Sequence, residues 1–455
     1  MNRTVVLNVA ALTRSLLGEK TANLRSLLSE SANIGGMLPA VTCPVQSTYL
    51  TGKPPSEHGI VANGWYFRDL AEIAFWKQSN RLVQSEKIWE TARRRNPSFT
   101  CANLFWWYNM ATSADWSVTP KPIYCADGRK LPDCYSSPIA LRTEFTRDFG
   151  PFPLFHFWGP GTSIRSSEWI ANAAVRIEEK YRPTLHLIYL PHLDYVLQKV
   201  GPGGDIENDL VEIDSLCGRL ISFFRQRGCR IIVLSEYGIV PVNRAVHPNR
   251  VLREAGFLEV KVDLDREYLD PIRSPAFSVS DHQISHVYVN NPSSVGAVRA
   301  VLEKVRGIEL VMGEEEKRSC GLAHERSGDL ILVAEKDAWF SYYYWVEDGR
   351  APDYARTVNI HAKPGYDPCE LFLDPSIPFP KLQIGWTILK RRLGSRALLE
   401  VIPLDSDLVK GSHGRIPANE DGGPIFMTTE PRFLNGGSIE AVDVFGLILD
   451  HVFCE

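Results

Sequence analysis

At 455 residues, 44% hydrophobic and 23% charged, the chain is long enough for a large core and has the balance of a folded globular protein. Its net charge of −4 lacks the basic surplus of a nucleic-acid binder. Nine scattered cysteines without CxxC spacing argue for reduced thiols in a reducing compartment, and against a disulfide frame or zinc knuckle.

No apolar run approaches the roughly 18 residues that span a bilayer. The first run, Val5-Val6-Leu7-Asn8-Val9, is too short for a signal-peptide core. It reads as a buried strand, and the expected location is cytoplasmic.

Next comes Pro39-Ala40-Val41-Thr42-Cys43-Pro44, continuing to Thr51-Gly52. The two prolines predict a sharp turn, and Thr51-Gly52 closes a short helix. A hydroxyl at a helix start sits among free backbone N–H groups, where an anion is favoured. Thr42 is therefore a candidate nucleophile; as a plain helix N-cap it would need the same position.

From about 98 to 170 the chain is aromatic-dense, with Phe105-Trp106-Trp107-Tyr108, Trp116, Trp158 and Trp169 among seven prolines. The expectation is an irregular wall beside a site. The apolar runs 187–190 and 231–234 have the length and composition of buried parallel strands. Between them Leu210, Ile213, Leu216, Leu220 and Phe224 predict a helix over about 206–227. This alternation implies a doubly wound α/β sheet, mostly parallel and flanked by helices, with ligands at the strands' carboxyl ends. Polar residues stand there: Asn8, then His192 and Asp194, then Glu236 and Tyr237.

Further on, 249–254 reads as a helix and 281–289 alternates like one strand, with His282, Ile284 and His286 on one face. The expected organisation is a core of 1–97, 180–240 and 326–455, an aromatic-rich insertion at 98–179, and a second insertion or cap at 241–325.

These residues resemble the nucleotide pyrophosphatase/phosphodiesterase branch of the alkaline phosphatase superfamily. Thr42, Pro44, Thr51-Gly52, Pro55, His58-Gly59-Ile60-Val61 and Asn63 follow that family's opening pattern in order, with departures at Cys43 and Val45. Leu104 to Trp107 is similar to its Phe-Trp segment. Asp194 to Pro202, with Gln198 between, resembles its Asp-x-x-x-His-x-x-Gly-Pro. Ser235 to Gly238 is similar to Ser-Asp-His-Gly, and His413-Gly414 to its final His-Gly.

The resemblance implies an alkaline-phosphatase-like fold and a metal-dependent phosphodiester or pyrophosphate hydrolase. Thr42 would be the nucleophile and Asn63 the phosphoryl-binding residue. Asp194 and His413 would hold one metal, with Gln198 where the family has His. Asn8, Glu236 and Tyr237 would stand for its Asp, Asp and His at a second. Glu236 keeps the charge. Asn8 and Gln198 supply only neutral oxygens, better suited to Mg²⁺ or Ca²⁺ than Zn²⁺, and the Tyr237 phenol stays protonated near neutral pH unless strongly shifted.

The cofactor expected is thus one or two divalent ions, whether Zn, Mg or Mn. His192, Asp281, His282 and His286 are candidate substitute ligands, and Trp106 and Trp107 candidate substrate platforms. His58 reads as structural. The partner expected is a small phosphoester, with no nucleic-acid polymer and no membrane span. The alternatives are a catalytically impaired binding or carrier protein for a phosphorylated or aromatic small molecule, and a phosphonate or other phosphoester hydrolase.

Overall fold

The computed structural model describes residues 1–126, 128–434 and 438–455. The apolar runs at 5–9, 187–190 and 231–234 fall within three adjacent strands, Thr4–Val9 flanked by Leu185–Leu190 and Arg230–Leu234. All three are almost entirely buried. That is why they read as continuous apolar runs without alternation.

They form the middle of an eight-stranded sheet. Its order is Ser31–Asn33, Ile425–Thr428, Arg230–Leu234, Thr4–Val9, Leu185–Leu190, Cys101–Leu104, Trp116–Pro120 and Cys134–Ser137. The five strands from Arg230–Leu234 to Trp116–Pro120 pair in parallel, and antiparallel strands close both edges.

Helices flank this sheet. Glu207–Arg225 buries Leu210, Ile213, Leu216, Leu220 and Phe224 as its spacing requires. It packs with Arg165–Tyr181, while Thr42–Thr51 packs with Val444–Phe453. The aromatic-dense stretch 98–179 contributes three strands and the helix Arg165–Tyr181 to this layer. Most of its rings are core: Phe105, Phe152, Phe157 and Trp169 pack edge to face or tilted on one another.

A second, antiparallel sheet has the order Ala276–Asp281, Ile284–Val289, Leu330–Ala334 and Ile308–Met312. The stretch 281–289 is therefore not one strand. It is the end of one strand, a tight turn at His282-Gln283, and the start of the next, with Asp281 paired to Ile284 across the turn. His282 holds φ at +60°, a left-handed conformation uncommon for a residue with a Cβ. Directly paired, Asp281 and Ile284 share a face, whereas one continuous strand would put them on opposite faces; the turn residues His282-Gln283 carry none of the Gly or Asn that usually marks a hairpin.

Gly411 fixes how the last motif docks. A Cβ there would lie 2.1 Å from the carbonyl oxygen of Leu197, so only glycine lets Gly411-Ser412-His413 approach the helix His192–Val200.

Candidate active site

The carboxyl ends of the three central strands converge on the start of the helix Thr42–Thr51. Val41 is extended and Thr42 opens the helix. The anion-favouring cluster of free N–H groups expected there is not formed: Asn63 Oδ1 takes the Cys43 N–H, Pro44 has none, and the Val45 N–H bonds the Val41 carbonyl. Thr42 Oγ1 lies 3.0 Å from the phenolic oxygen of Tyr237, which in turn donates to Asp194 Oδ1 at 3.2 Å. A phenol has one proton. With that proton directed at Asp194, Thr42 is the donor to Tyr237. The result is a directed chain from Thr42 through Tyr237 to Asp194.

His413 borders this chain. Its Nδ1 lies 2.7 Å from the carbonyl oxygen of Ala40, so Nδ1 carries the proton and Nε2 exposes a lone pair. That Nε2 has no hydrogen-bond partner and lies 3.7 Å from Asp194 Oδ1. The imidazole stacks between two other rings. Tyr237 lies parallel to it, centroids 3.6 Å apart, and His282 packs on it at 3.7 Å. Tyr366 extends the column at 3.7 Å from His282. The strained turn at His282 sets this position, pinned where Gln283 N–H donates to the His413 carbonyl.

Glu236 immediately precedes Tyr237, past the end of Arg230–Leu234. Its Oε1 accepts from Asn8 Nδ2 at 2.9 Å and from Gln46 Nε2 at 2.8 Å, while Oε2 and Asn8 Oδ1 have no partner. Asn63 joins two parts of the site. Its Oδ1 accepts the Cys43 N–H at 2.9 Å, and its own N–H and Nδ2 donate to the two oxygens of Asp281 at 2.8 and 3.1 Å.

Burial dominates the electrostatics. It pushes Asp194, Glu236 and Asp281 each up to about 7. Burial also pushes His413 down to about 3, holds His282 well below the ordinary range, and raises Tyr237 well above 10. Among the described residues no lysine or arginine pairs with any of the three carboxylates.

Asp194 and the unpartnered Nε2 of His413, 3.7 Å apart, fit a divalent cation as an anion and an imidazole, and Glu236 Oε2 and Asn8 Oδ1 are unpartnered oxygens apart from that pair. Among the described residues, Asp194, His413 and Glu236 do not bring three ligand atoms within 4.8 Å of one another. Two of the expected ligands are otherwise engaged. Gln198 donates to Asp194 Oδ2 at 2.7 Å and accepts from Tyr366 at 2.7 Å, so both ends of its amide are used. Tyr237 keeps its proton and serves as a bridge.

Two substitute candidates lie elsewhere. His192 opens a helix instead of ending a strand, so its side chain diverges from that of Asp194 two residues on. Its Nε2 lies 3.1 Å from Asp209 Oδ1 and 3.3 Å from Glu212 Oε2. These three form a separate group whose ligand atoms lie within 4.8 Å of one another. His286 is buried in the second sheet, where its Nδ1 accepts the Gly328 N–H. His282 and Asp281 do reach the site.

Thr42, Asp194, Tyr237, His282 and His413 line the floor of a cavity of about 1410 Å³. Trp107 lines its wall with Trp76 and Trp158. Trp106 does not, because its side chain is wholly buried in the main core. Cys43 is buried and its thiol pushed up, which leaves it inert. Sequence reasoning missed Gln46 and Tyr366. Gln46 lies one helical turn after Thr42, a spacing that could have found it; Tyr366 is far from every motif and gave no such signal.

A family model described as type I phosphodiesterase / nucleotide pyrophosphatase matches residues 4–367. An uncharacterised pyrophosphatase/phosphodiesterase of Schizosaccharomyces pombe is 26% identical over 277 residues, 55% of this chain and 49% of that protein. The chain thus spans about half the length of that curated relative. Phosphonoacetate hydrolase from Sinorhizobium meliloti, solved with phosphonoformate, shares the fold with a TM-score of 0.62 at 15% identity, covering 99% of this chain and 96% of that one. Murine ectonucleotide pyrophosphatase / phosphodiesterase 5, solved in an inactive threonine-to-alanine form with AMP, aligns with a TM-score of 0.59 at 14% identity, over 99% and 95% of the two chains.

Proposed function

The chain belongs to the type I phosphodiesterase / nucleotide pyrophosphatase family, and on that premise we propose that it hydrolyses a phosphodiester or pyrophosphate bond of a small molecule, with Thr42 as nucleophile. The observation that carries the reading is the hydrogen-bonded chain from Thr42 through Tyr237 to Asp194.

Asp194 and His413 would hold a divalent ion, whose charge favours binding of the phosphoryl group. The protein's own groups do the rest. As Thr42 Oγ1 bonds to phosphorus and the bond to the leaving oxygen breaks, the threonine proton moves to Tyr237 and the tyrosine proton to Asp194 Oδ1. The leaving oxygen is protonated from solvent. Water then cleaves the phosphothreonine, and a proton returns to Thr42 by the same path.

Asn63 is a positioning residue in this scheme, because its amide is committed to Cys43 and Asp281. The threonine-to-alanine form of the murine neighbour, described as inactive, supports the nucleophile. The phosphonoacetate hydrolase neighbour makes a phosphonate the first alternative substrate to assay.

Turnover of an aryl phosphodiester with Mg²⁺, Mn²⁺ or Zn²⁺, coupled to mass spectrometry of acid-quenched protein, tests this. A phosphate on Thr42 and loss of turnover in Thr42→Ala are expected; undiminished turnover in that variant refutes the nucleophile. A second reading, a binding protein without turnover, is favoured by the amides of Gln198 and Asn8 bonded to Asp194 and Glu236. Ligand retention with no turnover under any metal would select it.

A further inference from the structure

The helix Pro380–Arg392 carries apolar side chains on two faces. Ile384 and Ile388 line the cavity, and cover for them is expected of a helix at its mouth. Leu382, Trp386, Leu389 and Leu393 recur at helical spacing on a second stripe. That stripe is not covered: Leu382 is 70% exposed, Trp386 57% and Leu393 75%. Phe379, just before the helix, is 70% exposed. A helix about 20 Å long with such a stripe is stable in water only at a cost in exposed apolar area.

Charge identifies what covers it. From residue 375 to 399 there is no carboxylate, while Lys381, Lys390, Arg391, Arg392 and Arg396 are all present. Among the described residues none of the five pairs with a carboxylate in its surroundings. The Lys390 ammonium lies 5.5 Å from the Trp386 ring centroid, beside the stripe, while Lys381, Arg391, Arg392 and Arg396 line the cavity with Ile384 and Ile388. This local excess stands against a chain whose net charge is −4. A cationic helix with an exposed apolar stripe containing tryptophan has the character of an element that lies in a lipid interface. No helix among the described residues is long and apolar enough to cross a membrane. The apolar surface continues around the cavity mouth, where Leu70, Tyr124, Leu131 and Phe155 both line the cavity and are exposed.

We propose that the Pro380–Arg392 helix docks on an anionic lipid bilayer, with Leu382, Trp386, Leu389 and Leu393 inserted among the acyl chains and the flanking cations on the headgroups. The cavity mouth then faces the bilayer. Docking does not depend on the hydrolase reading; only the corollary, a phosphoester drawn from the membrane, rests on it.

Flotation of the full chain with vesicles of phosphatidylcholine containing 30% phosphatidylglycerol, at about 0.1 M salt, tests the proposal. Wild type should float with these vesicles and at least tenfold less with pure phosphatidylcholine. Trp386→Ser with Leu393→Ser should lower binding at least tenfold, and Lys390→Glu several-fold, with melting curves unchanged. None of these three residues lines the cavity, so turnover of a soluble aryl phosphodiester should be unaffected. Thr42→Ala should float like wild type, which separates failure of docking from failure of the proposed chemistry. Absence of flotation overturns the proposal, as does flotation indifferent to all three substitutions. Concentration-dependent dimerisation abolished by the same substitutions, without vesicle binding, would overturn it in favour of a second copy of the chain.

Discussion

The Tyr237 phenol stands between Thr42 and Asp194, 3.0 Å from the threonine hydroxyl and 3.2 Å from the carboxylate. Removing only that oxygen tests it as a proton bridge. Tyr237→Phe keeps the ring stacked on His413 and should lower kcat for an aryl phosphodiester by about 100-fold, the lower range for a positioned acid-base group. KM should change little. A kcat within about threefold of wild type would show that the bridge is idle.

Metal content separates the two histidine groups. His413→Ala should lower the bound divalent metal in elemental analysis, because it removes the unpartnered Nε2 beside Asp194. His192→Ala should leave the metal dependence of turnover intact, since its contacts are Asp209 and Glu212. Chelator treatment of wild type should abolish turnover, and metal should restore it.

The buried carboxylates make stability depend on pH in a definite direction. Asp194 is pushed up to about 7 by burial, against an ordinary value near 3.8. The folded protein therefore holds this proton where the unfolded chain has lost it, and Asp194 costs stability as pH rises from about 4 through 7. In chelator, Asp194→Asn should gain in melting temperature relative to wild type between pH 4.5 and pH 8. A difference constant across that range would contradict this. Added metal should shrink the gain by stabilising wild type at the higher pH.

A second buried charge cluster affects folding more than chemistry. Lys363 Nζ lies 2.7 Å from Asp367 and 2.8 Å from Glu370, all three almost wholly buried. Lys363→Met leaves two carboxylates without their cation and should cost about 3–5 kcal/mol in denaturant unfolding. Removing both acids along with the lysine should recover part of that loss.

The parallel strands were legible because burial on both faces leaves an apolar run, and the polar residues at or past their carboxyl ends, Asn8, Asp194 and Glu236, mark the ligand end of such a sheet. Asp194, Glu236, Thr42 and His413 could thus be listed before their distances were known. The roles of Gln198 and Tyr237 could not, since whether an amide or phenol faces a cation or a neighbouring side chain depends on partners such as Tyr366, 168 residues away from Gln198. His282 reads as part of a strand because His282-Gln283 carries none of the Gly, Asn or Pro that usually signals a hairpin turn. His192 was misdirected for a related reason: the strand ends at Leu190, and a helix then rotates its side chain away from the site.

The clasp between Asn63 and Asp281 has a mechanical meaning. Asp281 ends a strand of the smaller sheet, and Asn63 grips the amide next to Thr42, so the threonine's setting is braced from outside its own helix layer. Tilting one sheet against the other would loosen that brace and the ring column through His282 at once. Alignment of the Thr42 hydroxyl is therefore a property of both sheets together, not of its own helix alone.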